Sequence, residues 1–280
     1  MNYMGKRIHD WLEDTTSALK QAGIETARLD SLVLLCDEIG HDKSWILAHP
    51  ERELQESELE ILNKNIAQRL QHIPLAYIRG KVEFFGREFM VDEQVLVPRP
   101  ESEAIIELLK RVAGRGLRVA IFDIGTGSGV LAITAKLEIP KANVVASDID
   151  ESCIQVARKN AHNHEADISF LSGDLLHPLL DAAFKIQDSI FVANLPYVPE
   201  SYPINYAAAH EPKLALFSGK DGLNHYSEMF TQLKNSQAKP LYIITEALQT
   251  QHEALRTIAQ NTGYRQLHQN GLAQCFSLTK

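Results

Sequence analysis

Leu117-Arg118-Val119-Ala120-Ile121-Phe122-Asp123-Ile124-Gly125-Thr126-Gly127-Ser128-Gly129 is an apolar run that breaks into three alternate glycines. Leu117 to Phe122 predicts a buried strand, and Val130 to about Glu138 predicts the helix that follows it. Glycines at a strand-to-helix turn let the backbone approach a ligand closely and adopt conformations closed to other residues. The spacing G-x-G-x-G departs from the G-x-G-x-x-G fingerprint tied to a pyrophosphate, and no G-x-x-x-x-G-K-[ST] loop occurs. The turn therefore suits a nucleoside lacking phosphates better than a dinucleotide or a nucleoside triphosphate.

Strand–helix pairs continue downstream, which predicts an α/β fold with a doubly wound sheet. Asn143 to Ser147 reads as the second strand and ends at Asp148. An acid there, roughly twenty residues beyond the glycine turn, is the usual partner of ribose hydroxyls. Asp150 caps the next helix, which runs to about Asn163. A third strand, Ile168 to Leu171, leads into Ser172-Gly173-Asp174-Leu175. Asp174 can accept from an adenine amino group there, with Leu175 against the base, although an Asp after Gly is more often a turn residue. The fourth strand, Ile190 to Ala193, delivers Asn194-Leu195-Pro196-Tyr197. Pro196 holds Leu195 extended. Asn194 Oδ1 and the Leu195 carbonyl then form two preset acceptors, with Tyr197 as a flat face. That set suits a planar NH2 group, either a carboxamide or an exocyclic base amine. Alone, the tetrapeptide reads more simply as a strand end and a proline turn; its place after the glycine turn and Asp148 favours the chemical reading. A proline-punctuated stretch through Leu223 reads as a functional loop at the ligand edge of the sheet. A helix near 224–233, a strand at 241–246, a helix near 250–260 and strands at about 264–268 and 274–278 complete the domain.

Upstream, residues 1–75 predict a small helical bundle. Ile8, Trp11, Leu12 and Leu19 share one helical face. Asp30 to Ile39 reads as an apolar helix capped at its start, and Ser57 opens another, with Glu60 completing a capping box. Residues 76–95 predict a β-hairpin linker, and 96–280 the remaining domain. Arg69, Arg79, Lys81, Arg87 and Arg99 make the linker region the most basic part of the chain. They form either a solvated face or a contact surface for a macromolecular substrate.

The 280 residues are 45% hydrophobic and 23% charged, as in a folded globular protein. A net charge of −8 argues against a broad nucleic-acid-binding face. No signal peptide or membrane span is visible. Cys36, Cys153 and Cys275 are isolated and read as reduced thiols in a cytoplasmic protein. His162 and His164 do not share a helix face, so no metal site is expected.

Glycine turn, ribose acid and Asn-x-Pro-Tyr, in this order on successive strand ends, resemble the class I S-adenosylmethionine-dependent amino-methyltransferases. Ile73-Pro74-Leu75-Ala76-Tyr77-Ile78-Arg79-Gly80, Phe84-Phe85-Gly86 and Val97-Pro98-Arg99-Pro100-Glu101-Ser102-Glu103 narrow this to the peptide chain release factor glutamine methyltransferase family. Ala27-Arg28-Leu29-Asp30, His210-Glu211-Pro212 and Gly219 to Leu223 fit as well. The resemblance implies a seven-stranded, Rossmann-like methyltransferase domain preceded by a docking bundle and a hairpin. It implies methylation of the glutamine amide in the Gly-Gly-Gln motif of release factors. Charge and composition set the further expectation of no membrane and no direct nucleic-acid contact, and a monomer is expected. Gly125, Thr126, Gly127, Ser128, Gly129, Asp148, Asp174, Leu175 and Asn194 would hold S-adenosylmethionine, and Asn194, Leu195, Pro196 and Tyr197 the glutamine. The chain departs from the family at Leu195, where proline is usual, and at Glu246-Ala247-Leu248, where Glu-x-Gly is usual. Asn-Leu-Pro-Tyr also resembles adenine amino-methyltransferases of ribosomal RNA, which keeps a nucleic-acid substrate, or a glutamine of a ribosomal protein, as alternatives.

Overall fold

A computed structural model describes residues 6–114, 119–181 and 184–279. Leu117 and Arg118, with which the first predicted strand opens, lie outside the described residues, as do the chain's ends at Met1 and Lys280. Two compact units emerge: the described residues up to Gly80 with Asn205–His210, and Lys81–Ile204 with those from Glu211 onward.

The smaller unit contains α1 (Ile8–Gln21), α2 (Ala27–Ile39), α3 (Lys43–Ala48), α4 (Glu56–Leu70) and the short α5 (Leu75–Arg79). On α1, Ile8, Trp11, Leu12, Thr15, Thr16 and Leu19 are buried, the 3.6-residue stripe expected of a bundle helix. Trp11 joins Leu34, Leu35, Ile46, Leu62 and Ile66 in one core. Asp30 is not the cap expected from the sequence. Helix α2 starts three residues earlier at Ala27, and Asp30 is buried with its Oδ2 accepting from Arg69 Nε at 2.7 Å. The capping contact of α4 likewise moves upstream, with Gln55 N donating to Glu58 Oε2 at 2.8 Å.

The larger unit opens with the hairpin β1 (Lys81–Phe84) and β2 (Arg87–Met90). The hairpin is shorter than the sequence suggests because 75–79 coil into α5. Phe84 and Phe89 enter the core of this unit, and Asn160 bonds both backbone groups of Met90 (2.8 and 2.9 Å). Next come α6 (Glu103–Ala113), β3 (Ala120–Ile124), α7 (Val130–Glu138), β4 (Asn143–Asp148), α8 (Glu151–Asn163), β5 (Ile168–Ser172) and α9 (His177–Asp181). The chain closes with β6 (Ile190–Ala193), α10 (Lys213–Leu216), α11 (Asn224–Asn235), β7 (Tyr242–Glu246), α12 (His252–Gln260), β8 (Tyr264–Asn270) and β9 (Ala273–Leu278).

Seven strands form one sheet in the order β5-β4-β3-β6-β7-β9-β8, parallel except for β9, which runs antiparallel to β7 and β8. Both faces are covered, so the central strands are apolar throughout. Ile121, Ile190, Val192 and Ile244 face α6, α7 and the hairpin. Phe122, Ile124, Phe191, Ala193 and Ile243 face α11 and α12. This two-residue alternation divides one hydrophobic run between two cores.

The basic residues do not form a cationic surface. Within the smaller unit Arg69 pairs with Asp30 and Arg79 with Asp37; within the larger, Lys81 pairs with Glu88, Arg87 with Glu138 and Arg99 with Glu211. Each cation meets a carboxylate, which cancels most of the local field.

Candidate active site

The chain leaves β3 towards β4 and β5, then returns to place β6 on the other side of β3. Ligands of open α/β sheets bind outside the strand carboxyl ends where the connections reverse in this way. Ile124 pairs with Ala193, so Gly125 and Asn194 leave neighbouring strands side by side. A cleft of about 1130 Å³, counted out to its open mouth, lies there.

The glycine turn forms one wall. Gly125 and Thr126 both donate their N–H groups to Ser147 O at 2.9 Å, and Thr126 Oγ1 donates to Asp123 Oδ2 at 2.6 Å. Gly125 has φ +72°, and a Cβ there would stand 3.0 Å from Leu195 Cδ2. Gly127 (φ +54°) would point a Cβ into open space, so its bare backbone faces the ligand side. Asp148 Oδ2 accepts from Gly127 N at 2.8 Å and its Oδ1 from Asp150 N at 3.0 Å, which pins the carboxylate at the rim. Burial raises its pKa, against the pull of these N–H groups. Ile149 lines the cleft while 55% exposed, and Leu175 is buried opposite at the unusual φ of +46°. Together they provide apolar surface for a flat base.

Gly125 to Ser128, Asp148, Asp174, Leu175 and Asn194 to Pro196 all line this cleft. Gly129 and Tyr197 do not line it. Gly129 is where α7 meets α8: an added Cβ would stand 3.0 Å from Ala157 Cβ, so the residue serves helix packing. Tyr197 is half-buried, and its hydroxyl donates to the buried Glu246 Oε1 at 2.9 Å.

Several neighbours had no assigned role in the sequence. Asn194 Nδ2 donates to Ser102 Oγ at 3.0 Å, and Oδ1 makes no hydrogen bond among the described residues. Tyr226, fully buried on α11, joins the two strand ends: its hydroxyl lies 3.0 Å from Ala193 O and 2.6 Å from Glu246 O, and it accepts from Leu195 N and Glu246 N at 3.3 Å. Burial holds the phenols of Tyr197 and Tyr226 neutral. Glu211, 4% exposed, accepts from Val97 N at 3.1 Å and from Arg99, fixing the Pro-Arg-Pro-Glu stretch beside the cleft. Cys153 also lines the cleft, but burial and the adjoining Asp148, Asp150 and Asp92 push its thiol up to about 12, so it is no nucleophile.

Asp123 is 1% exposed beneath the turn, and burial pushes its carboxyl up to about 7 from 3.8. Between those values the folded chain holds a proton that the unfolded chain has released. Stability therefore falls as pH rises through this window and is level above it. Asp123→Asn removes that slope, so the stability difference between variant and wild type changes by ~2–3 kcal/mol from pH 5 to pH 8. Urea unfolding of both proteins at the two pH values reads it; parallel pH dependences would contradict a buried, protonated Asp123.

Comparison with known proteins adds to this geometry. The family model for the PrmC N-terminal domain matches residues 10–80, and that for ribosomal protein L11 methyltransferase (PrmA) matches 102–195. The release factor glutamine methyltransferase of Bacillus subtilis (strain 168) is 34% identical over 248 residues, 86% of this chain and 85% of its own. That of Staphylococcus aureus (strain NCTC 8325 / PS 47) is 32% identical over 254 residues, 89% of either chain. Among solved structures, the N-terminal domain of human METTL16, in complex with SAH, has a TM-score of 0.51 at 15% identity, covering 70% of this chain and 77% of that one.

Proposed function

Because the chain belongs to the release factor glutamine methyltransferase family, we propose that it transfers a methyl group from S-adenosylmethionine to the side-chain amide nitrogen of the glutamine in the Gly-Gly-Gln motif of peptide chain release factors. The observation that carries this reading is Asn194 at the strand switch point, lining the cleft beside the glycine turn. The acidic balance and the paired cations weigh against the nucleic-acid alternative. A substrate belonging to translation puts the work in the cytoplasm.

The cleft fits the cofactor. The open side of Gly127, the Asp148 carboxylate and the apolar Ile149 and Leu175 match the backbone approach, ribose and base of an adenosine. Asp148 would hold the ribose, Asp174 the adenine amino group, and Gly125 to Ser128 the remainder. When bound, S-adenosylmethionine supplies a methyl group activated by a positively charged sulfur. A carboxamide nitrogen is a poor nucleophile because its lone pair is delocalised into the carbonyl. Asn194 Oδ1 and the Leu195 carbonyl would accept its two N–H hydrogens, fixing the amide in place and favouring the positive charge that develops on nitrogen. Such alignment can contribute about 7–11 kcal/mol in favourable cases. Cys153, Tyr197 and Tyr226 all hold their protons, so none serves as a base. The nitrogen sheds its proton readily once alkylated, and the cleft mouth is open to water.

The bundle would dock the release factor, with residues 96–280 carrying the chemistry. The test is to incubate the protein with radiolabelled S-adenosylmethionine and a release factor, then with the same factor carrying alanine for the Gly-Gly-Gln glutamine. Label on the first and none on the second is expected. Equal labelling of both, or labelling only of RNA or a ribosomal protein, would contradict the assignment.

A further inference from the structure

We propose that Glu246, acting with Ser102, is a positioning residue that holds the Asn194 amide with its oxygen towards the cleft. This rests on the glutamine-methylating reading of the site. Asn194 must offer an acceptor, yet an amide can present either end, and rotating it by half a turn would confront a substrate NH2 with another NH2. The structure contains a device that decides between the two. Glu246 ends β7 beside β6, with Thr245 paired to Ala193. It is 1% exposed, and Ser102 and Asn194 approach the carboxyl group that accepts from Tyr197.

A carboxyl oxygen that carries no proton accepts, so it draws donors inward. Ser102, 3% exposed, accepts from Asn194 Nδ2 and so has its own hydrogen free for Glu246. The amide NH2 is thereby turned to the interior, and Oδ1 is left for the cleft. Burial pushes the Glu246 carboxyl upward, and the hydrogen bond from Tyr197, with the polar groups of Ser102 and Asn194 close by, opposes that rise.

Stability does not account for this glutamate. Among the described residues no cation pairs with it, and its Oε2 has no hydrogen-bond partner. A buried carboxylate so placed costs the fold more than an apolar residue of similar volume would. Ser102 lies in the Pro-Arg-Pro-Glu-Ser stretch, a motif that the cofactor and substrate contacts leave without a task.

The test compares wild type, Glu246→Gln, Ser102→Ala and the double variant on the release factor, reading kcat and KM, with S-adenosylmethionine affinity from calorimetry. Glu246→Gln keeps the shape but presents an NH2 to the Asn194 amide, so kcat should fall about 30-fold. Ser102→Ala should lower it about 10-fold, and the double variant should be no worse than Glu246→Gln alone, because both act through one amide. KM and cofactor affinity should stay within about threefold of wild type. A kcat within threefold of wild type in both single variants, or a parallel loss of cofactor affinity, overturns the positioning role. Wild type that fails to label the release factor overturns the glutamine reading itself.

Discussion

Replacing Asn194 by alanine should abolish detectable methyl transfer, a loss of about 10³-fold in kcat or more, while S-adenosylmethionine still binds within about threefold of its wild-type affinity. Removing one preorganised polar group aimed at developing charge typically costs 10²–10³-fold. Here the same side chain also fixes the nucleophile's orientation, and misplacement by about an ångström can cost a further 10²-fold. The anchors proposed for the cofactor, Gly125 to Ser128, Asp148 and Leu175, follow β3, β4 and β5 and not β6. Asn194 is half-buried, so alanine removes few packing contacts; Ser102 loses a donor but keeps Glu246 nearby as an acceptor for its own hydrogen. A radiolabelled-methyl assay beside calorimetric titration of the cofactor separates the two losses. If affinity and activity fell together, Asn194 would be a cofactor or folding residue.

The sequence made the glycine-turn side of the cleft legible because its signals are local. Three glycines in five residues imply a turn that side chains cannot enter, and an acid at the next strand end follows from the same topology. The substrate side depends on distant pairings. Ser102 and Asn194 are 92 residues apart, Tyr197 and Glu246 are 49 apart, and no periodicity predicts that they meet. An aromatic at a cleft suggests stacking, but nothing in the sequence near Tyr197 points to the buried carboxylate across the sheet that takes its hydroxyl. Gly129 was grouped with its neighbours by spacing, yet the close approach of Ala157 determines its place. Asp30 behaves like Tyr197: a helix-capping residue type is claimed by Arg69, 39 positions away. The basic residues near the hairpin read as a patch only when their carboxylate partners, up to 112 residues distant, are out of view.

The same dependence on distant contacts makes Gly222 the position where a single methyl group should do the most structural damage. It lies in Gly219-Lys220-Asp221-Gly222-Leu223, and its φ of +79° is already strained for any L side chain. A Cβ there would stand 2.1 Å from the Tyr197 carbonyl oxygen and 2.4 Å from Gln251 Nε2. Those atoms cannot yield cheaply: Gln251 Nε2 donates to both Tyr197 O and Asp221 O at 2.7 Å, and Val198 N and O are each bonded within the same loop, to Leu216 and Ser218. Left-handed strain of ~1–2 kcal/mol, overpacking of ~1–3 and the broken Gln251 bonds put Gly222→Ala at ~4 kcal/mol or more of destabilisation. Activity should fall further than stability alone requires, because displacing Tyr197 moves Pro196 and the Leu195 carbonyl with it. Gly271→Ala provides the control: its φ is +55°, but a Cβ there meets nothing within 4 Å, so only ~1 kcal/mol is expected. Urea unfolding of both variants, with methyl transfer assayed where each is fully folded, separates backbone strain from collision. Equal destabilisation in the two would mean that the loop does not press on Tyr197 and does not hold the acceptor pair in place.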